Sequence, residues 1–182
     1  GDLVEVSNYV PNVRVEFTSP SSPQVFIRGF GTNTFNPSFE SSVGLVQDEL
    51  FMGRAGYFTE GMFDVGRVEV LRGPQGTLFG KNTVSGVFNV FSRPVTEAFS
   101  TNAELRAGEF GEQRVEVGAG GMVNDWFGLR FAAMDTQRDG QLHNQFSGRD
   151  QEASEQDAQR LKLLFVPSDA MEIELIALES QT

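Results

Sequence analysis

Residues 63–80 read FDVGRVEVLRGPQGTLFG. Residues 67–71 (RVEVL) form a short β-type run, closed by Gly73-Pro74, which is the signal of a strand ending in a turn. Residues 77–80 leave room for one helical turn. Residues 73–83 (GPQGTLFGKNT) carry a Gly-Lys pair and so invite comparison with a phosphate loop. Such a loop needs glycine five residues before the pair, for close backbone approach, and a hydroxyl after the lysine to hold magnesium. Gln75 and Asn82 occupy those positions, so nucleotide binding is not expected.

Outward from this string, the first half is rich in Gly, Pro, Asn and Ser. Further β-type runs stand at residues 24–28 (QVFIR), 43–47 (VGLVQ) and 87–91 (VFNVF), each bounded by turn residues. A helix is expected over residues 3–9, stopping before Pro11, because the residue preceding a proline is driven out of the helical region. Residues 1–94 therefore read as a compact α+β domain with long loops.

Residues 95–182 follow a different pattern. Five successive segments alternate apolar and polar side chains with period two, which is antiparallel sheet with two unlike faces. The apolar sets are Ala103, Leu105, Ala107; Val115, Val117, Ala119; Phe127, Leu129, Phe131, Ala133; Leu161, Leu163, Phe165; and Met171, Ile173, Leu175, Ala177. Period two alone leaves two architectures open. One is a soluble sandwich with its polar face in water. The other is a membrane barrel wall, apolar outside and polar within. A strand of about ten residues, rising roughly 3.3 Å each and tilted about 45°, covers roughly 23 Å, close to the apolar band of such barrels. The connections at residues 110–112, 123–125 and 167–170 are tight, and that at 139–155 is long and polar. Short turns at one end with a longer loop at the other fit an outer-membrane barrel. On that reading residues 167–170 lie on the periplasmic side and 139–155 outside.

Composition excludes several functions. The 182 residues carry 14 basic and 25 acidic side chains, a net charge of −11. Residues 1–94 hold 7 basic and 9 acidic groups, and residues 95–182 hold 7 and 16, so the acidity lies in the second half. Nucleic-acid binding, which needs a basic footprint, is not expected. With no cysteine, disulfides, thiolate metal sites and cysteine nucleophiles are excluded. A single histidine, His143, excludes two-histidine metal sites, and no nucleophile-elbow sequence accompanies it. No catalytic residue, metal ligand or cofactor site is expected. No apolar run approaches the roughly 18 residues of a transmembrane helix.

Beside residues 63–80 stand residues 25–31 (VFIRGFG), 82–90 (NTVSGVFNV) and Arg93-Pro94. Together these closely resemble the plug domain of TonB-dependent outer-membrane receptors, and the string RVEVLRGPQGTLFG is highly specific to it. Tyr9-Val10-Pro11-Asn12-Val13 is similar to an earlier segment of the same domain. Two positions depart from the family pattern. Asp48-Glu49 stands where Asp-Gly is usual, and Ser85-Gly86 where Gly-Gly is usual, which puts the turn geometry there in question.

The resemblance implies a plug domain over residues 1–94, followed over 95–182 by the first five or so strands of a transmembrane β-barrel. It implies that further chain belongs to the same protein on both sides. It also implies a place in the outer membrane of a Gram-negative cell and no enzymatic chemistry. The implied activity is uptake of a scarce nutrient, such as a ferric siderophore, haem, cobalamin or an oligosaccharide. The implied partners are TonB with its inner-membrane energising complex, the outer-membrane lipid and the small nutrient ligand. Arg28 and Arg72 match plug arginines that pair with wall glutamates in the family, and Glu69 belongs to the same latch. The apical loops, at residues 18–24, 32–42 and 51–60, would meet the ligand. Phe35, Phe39, Arg54 and Tyr57 are the candidates there, since aromatics and arginine suit flat or anionic cargo. Glu104, Arg106, Arg114, Glu116 and Arg130 would face a wet lumen. A soluble β-rich binding module or adhesin remains the alternative.

Overall fold

The computed structural model describes residues 3–19, 22–32, 41–53, 57, 62–140, 142–144, 149–151 and 153–181. Phe35, Phe39 and Arg54 lie outside the described residues. The chain divides into two compact units, Gly1–Ser92 and Arg93–Thr182.

The first unit opens with helix α1 (Leu3–Tyr9), which ends before Pro11 as its sequence dictates. Strands β1 (Val13–Ser19), β2 (Ser22–Ile27) and β3 (Phe30–Gly31) form an antiparallel sheet in that order. Then come β4 (Val43–Gln47), β5 (Leu50–Met52), β6 (Val65–Arg72), the one-turn helix α2 (Gly76–Phe79) and β7 (Gly86–Ser92). The second sheet runs β5-β4-β7-β6, with β4 and β7 parallel and the other pairs antiparallel. β4 and β7 are its central strands and are buried almost throughout, which is why both are runs of Val, Leu and Phe. Leu3, Val25, Ile27, Val43, Leu45, Phe88 and Val90 close one core that joins α1 to both sheets.

Two hairpin turns of this unit hold two residues each at positive φ, which matches the right-handed twist of the strands they join. Between β2 and β3 these are Arg28 (54°) and Gly29 (82°); between β4 and β5 they are Asp48 (46°) and Glu49 (68°). Glu49 thus adopts the left-handed backbone that a glycine would have supplied. Gly86, at φ 151°, keeps the glycine geometry where Ser85-Gly86 departs from the family pair.

Residues 73–85 fold back on themselves. The amides of Gly73 and Gln75 donate to the carbonyls of Ser85 (3.1 Å) and Thr83 (2.9 Å). Those of Leu78, Phe79 and Gly80 donate to Gln75 and Gly76 within α2. Five amides of this loop, those of residues 73, 75, 78, 79 and 80, are thus engaged inside it.

The second unit is an antiparallel sheet of β8 (Ser100–Ala107), β9 (Gln113–Asn124), β10 (Phe127–Arg138), β13 (Ser154–Ser168) and β14 (Met171–Gln181). Its order, β14-β13-β10-β9-β8, follows the chain. A short hairpin, β11 (Leu142–Asn144) with β12 (Arg149–Gln151), occupies the long connection, where the sequence had shown only a polar loop. The tight turns, at residues 125–126 and 169–170, lie at one end of the sheet. Asn124 fixes the first of these by accepting from the amides of Trp126 (3.1 Å) and Phe127 (2.9 Å). The turn expected over 167–170 is shorter than that, because Pro167 and Ser168 complete β13 beyond an irregular register. No helix among the described residues is long and apolar enough to cross a membrane, which says nothing about strands.

Candidate functional site

The two faces of the five-stranded sheet carry the functional information. Arg130 and Arg160 are 2% exposed, Lys162 4%, and Arg114 and Glu116 7%. On the opposite face Val115, Val117 and Phe131 are each 44% exposed, Leu161 38%, Ile173 45% and Leu175 54%. Charges are buried and large aliphatics are bare, the reverse of a water-soluble sheet.

The buried charges are engaged. Arg114 pairs with Glu116 at 3.0 Å along β9. Arg130 donates to Ser100 Oγ at 3.2 Å and to Asn102 Oδ1, bridging across to β8. Lys162 lies 3.7 Å from Glu174 on β14. Glu104 and Arg106 lie opposite Glu116 and Arg114, so they share this face, paired with each other at 3.1 Å and more exposed on the edge strand. Like charges thus stand opposite across β8 and β9, and each strand offsets this with its own pair two residues apart. All five charges expected on the polar face are there.

On the bare face, apolar residues run down β10 from Ala133 to Phe127, with Asp135 just beyond them. At the tight-turn end Trp126, Phe127 and Phe165 gather, with ring centroids 5.9 Å and 5.1 Å apart. An apolar band bounded by aromatics at one rim is the outward surface of a membrane barrel. A soluble sandwich would carry this pattern with its faces exchanged.

Residues 1–87 match the family described as TonB-dependent Receptor Plug Domain. The first unit is a TonB-dependent receptor plug domain. The second is antiparallel barrel wall, and the protein is an outer-membrane protein of that receptor family. The chain is 27% identical over 142 residues to the Ferripyoverdine receptor of Pseudomonas aeruginosa, covering 76% of this chain and 16% of that one. It is 32% identical over 111 residues to the Vitamin B12 transporter BtuB of Vibrio vulnificus, covering 58% and 17%. The ferric yersiniabactin uptake receptor FyuA from Yersinia pestis shares the fold, with a TM-score of 0.87 at 21% identity, over 97% of this chain and 28% of that one. The chain therefore spans about a sixth of the length of these curated relatives.

In the plug, Arg28 sits at the β2–β3 turn and Arg72 ends β6, both exposed. Among the described residues neither guanidinium meets a carboxylate. Arg28 is held through its backbone instead, its amide donating to the Asn12 carbonyl at 2.7 Å. Glu69 is partnered within the plug: one carboxylate oxygen takes Arg67 Nε at 2.9 Å and the other takes Asn89 Nδ2 at 3.4 Å. Arg67 in turn lies over the Phe91 ring at 3.6 Å, its cross-strand neighbour. Tyr57 is half-buried and packs against the plug core.

Sequence reasoning missed Asp48. Its carboxylate accepts from the Ser92 amide at 2.9 Å and the Ser92 hydroxyl at 2.7 Å. Nothing local signals a contact across 44 positions, although an aspartate opening a tight hairpin is a residue able to cap a distant amide. Among the described residues no group of three His, Asp or Glu side chains is gathered to hold a metal ion.

Proposed function

We propose that the full receptor binds a scarce nutrient at its outer face and imports it with energy transmitted by TonB. The observation that carries this reading is a plug domain followed directly by a wall whose charged face is buried and whose apolar face is bare. No covalent chemistry is needed. The plug is a reversible barrier, and polar wall contacts suit one that must move, since water can replace them. The nutrient classes are those named for relatives: a ferric siderophore such as pyoverdine, or cobalamin. Deleting the full-length gene and measuring uptake of radiolabelled ferric siderophores and cobalamin tests it. The expected result is loss of uptake of one cargo, to the same level as removal of TonB. Unchanged uptake of the whole panel in iron- and cobalamin-starved cells contradicts it.

Within this reading Arg28 and Arg72 are latches onto wall carboxylates, and Tyr57, with Phe35, Phe39 and Arg54, contacts cargo. Both arginines are exposed beside a glycine, with room for a bidentate carboxylate to approach. Arg72→Ala in the full receptor is expected to raise vancomycin sensitivity while leaving cargo affinity within about twofold. Tyr57→Ala is expected to weaken binding without leakage. Loss of binding with a tight barrier in Arg72→Ala would move that residue into the ligand site.

The orientation has its own test. A cysteine at Ser147 in intact cells is expected to react with a membrane-impermeant maleimide, and one at Ser168 to stay shielded. The opposite pattern inverts the wall.

A further inference from the structure

The passage from plug to wall is short and gripped at both ends. On the plug side, Ser92 ends β7 and is held through two atoms by the Asp48 carboxylate. The Asp48 amide donates in turn to the Val90 carbonyl at 3.0 Å, so the grip is tied back to the same strand.

On the wall side, residues 95–99 lie along the base of β9 and β10. The Thr96 carbonyl accepts from the Met122 amide at 2.9 Å. Thr96 Oγ1 donates to the Ala98 carbonyl at 2.7 Å and lies 3.2 Å from Ser100 Oγ, which folds the segment into a compact bend. Two glycines make room for it. A Cβ on Gly121 would stand 2.7 Å from Phe99 Cα and 2.8 Å from the Ala98 carbonyl oxygen, both backbone atoms. A Cβ on Gly128 would stand 2.6 Å from a methyl of Val95. Neither glycine has a φ in the left-handed region, so space, not backbone conformation, is what these positions supply.

We infer that residues 92–99 are a double-clamped strap, which keeps the end of the plug's last strand fastened to the base of the first wall hairpin while the plug segments ahead of β4 are displaced. Only Arg93 and Pro94 lie between the grip on Ser92 and the seat of Val95, and the proline ring fixes one of their backbone angles. Four chain steps from Ser92 to Thr96 reach at most about 14 Å. With both clamps closed, the end of β7 stays within that distance of the wall. Opening the wall clamp would add residues 96–99, about 13–14 Å of extended chain. The strap concerns the connection alone and holds whichever cargo the receptor takes.

The test is mechanical and needs no cargo. The full-length receptor, in lipid nanodiscs with its barrel anchored, is pulled from its N-terminus by magnetic tweezers. Wild type is compared with a Thr96→Cys, Met122→Cys pair oxidised to a disulfide, and with Gly121→Ala, whose methyl evicts the strap backbone. Wild type and the locked form are expected to release equal lengths before the wall yields. Gly121→Ala is expected to release about 13–14 Å more. Hydrogen exchange of the Met122 amide in the same samples should rise at least tenfold in Gly121→Ala and leave Phe131 unchanged, which shows an intact wall. A wild type that releases about 13–14 Å more than the locked form overturns the inference. So does a Met122 amide that exchanges no faster in Gly121→Ala.

Discussion

Gly86→Ala in the full receptor is expected to cost the plug about 3 kcal/mol, the sum of overpacking and left-handed strain. Gly86 opens β7 with φ 151°, where it pairs with Val43 on one side and Arg72 on the other. An added Cβ would collide with the Leu71 carbonyl oxygen and lie 2.7 Å from Ile27 Cδ1. The oxygen belongs to the neighbouring strand's backbone and cannot turn away. Ile27 is 1% exposed and has nowhere to go. The loss should appear as a fall of about a hundredfold in exchange protection of the Val87, Phe88 and Val90 amides, each 1.4 kcal/mol being a factor of ten. Gly76→Ala is the control. Nothing stands within 4 Å of its Cβ position, and it lies in α2, where alanine is the better helix former, so protection should hold or rise slightly. Equal behaviour of the two variants would mean that the joint of β4, β6 and β7 is not packed as described.

The second large effect lies in the wall. Phe131→Arg is expected to destabilise the barrel by about 2–4 kcal/mol, the cost of a cation near the middle of a bilayer. Phe131 is 44% exposed, with Ala119 and Leu161 beside it on the bare face. Asp135→Arg, on the same face of the same strand and four residues toward the long connection, should cost about 0–1 kcal/mol, because it falls at the interface. The gradient is read from urea midpoints of the full barrel refolded into lipid vesicles. In a soluble sandwich with this face in water, both changes would be nearly neutral.

Much of the fold is legible in the sequence. Period-two alternation located all five long strands of the wall, because a strand facing unlike media on its two sides must alternate. Proline and glycine marked the ends of α1 and of the plug strands. The alternation does not say which face meets water. For Phe131 or Leu161 a core and a lipid tail are the same solvent, so period two fits a sandwich and a barrel alike. Burial separates them: with Arg130 and Arg160 hidden and Val115 and Val117 bare, only a membrane stabilises the arrangement. The strand Val13–Ser19 was missed, although its apolar residues Val13, Val15 and Phe17 recur at every second position. Asp48 on Ser92 and Gly121 beneath Phe99 were out of reach for another reason. Both join positions more than twenty residues apart, and neither leaves a local pattern. All four cargo candidates remain proposals. Tyr57 is seen against the plug core, while Phe35, Phe39 and Arg54 remain assignments from sequence.

Cysteines placed singly at Val117, Phe131, Leu161 and Leu175, and at Ala132 and Ala158, and labelled with an environment-sensitive fluorophore in the full receptor, test the central claim most directly. Brominated lipid tails are expected to quench the first four strongly, and the last two should be quenched only by a water-borne quencher, or by neither. Quenching of the first four by the water-borne agent alone would contradict the account. It would return the sheet to a soluble sandwich.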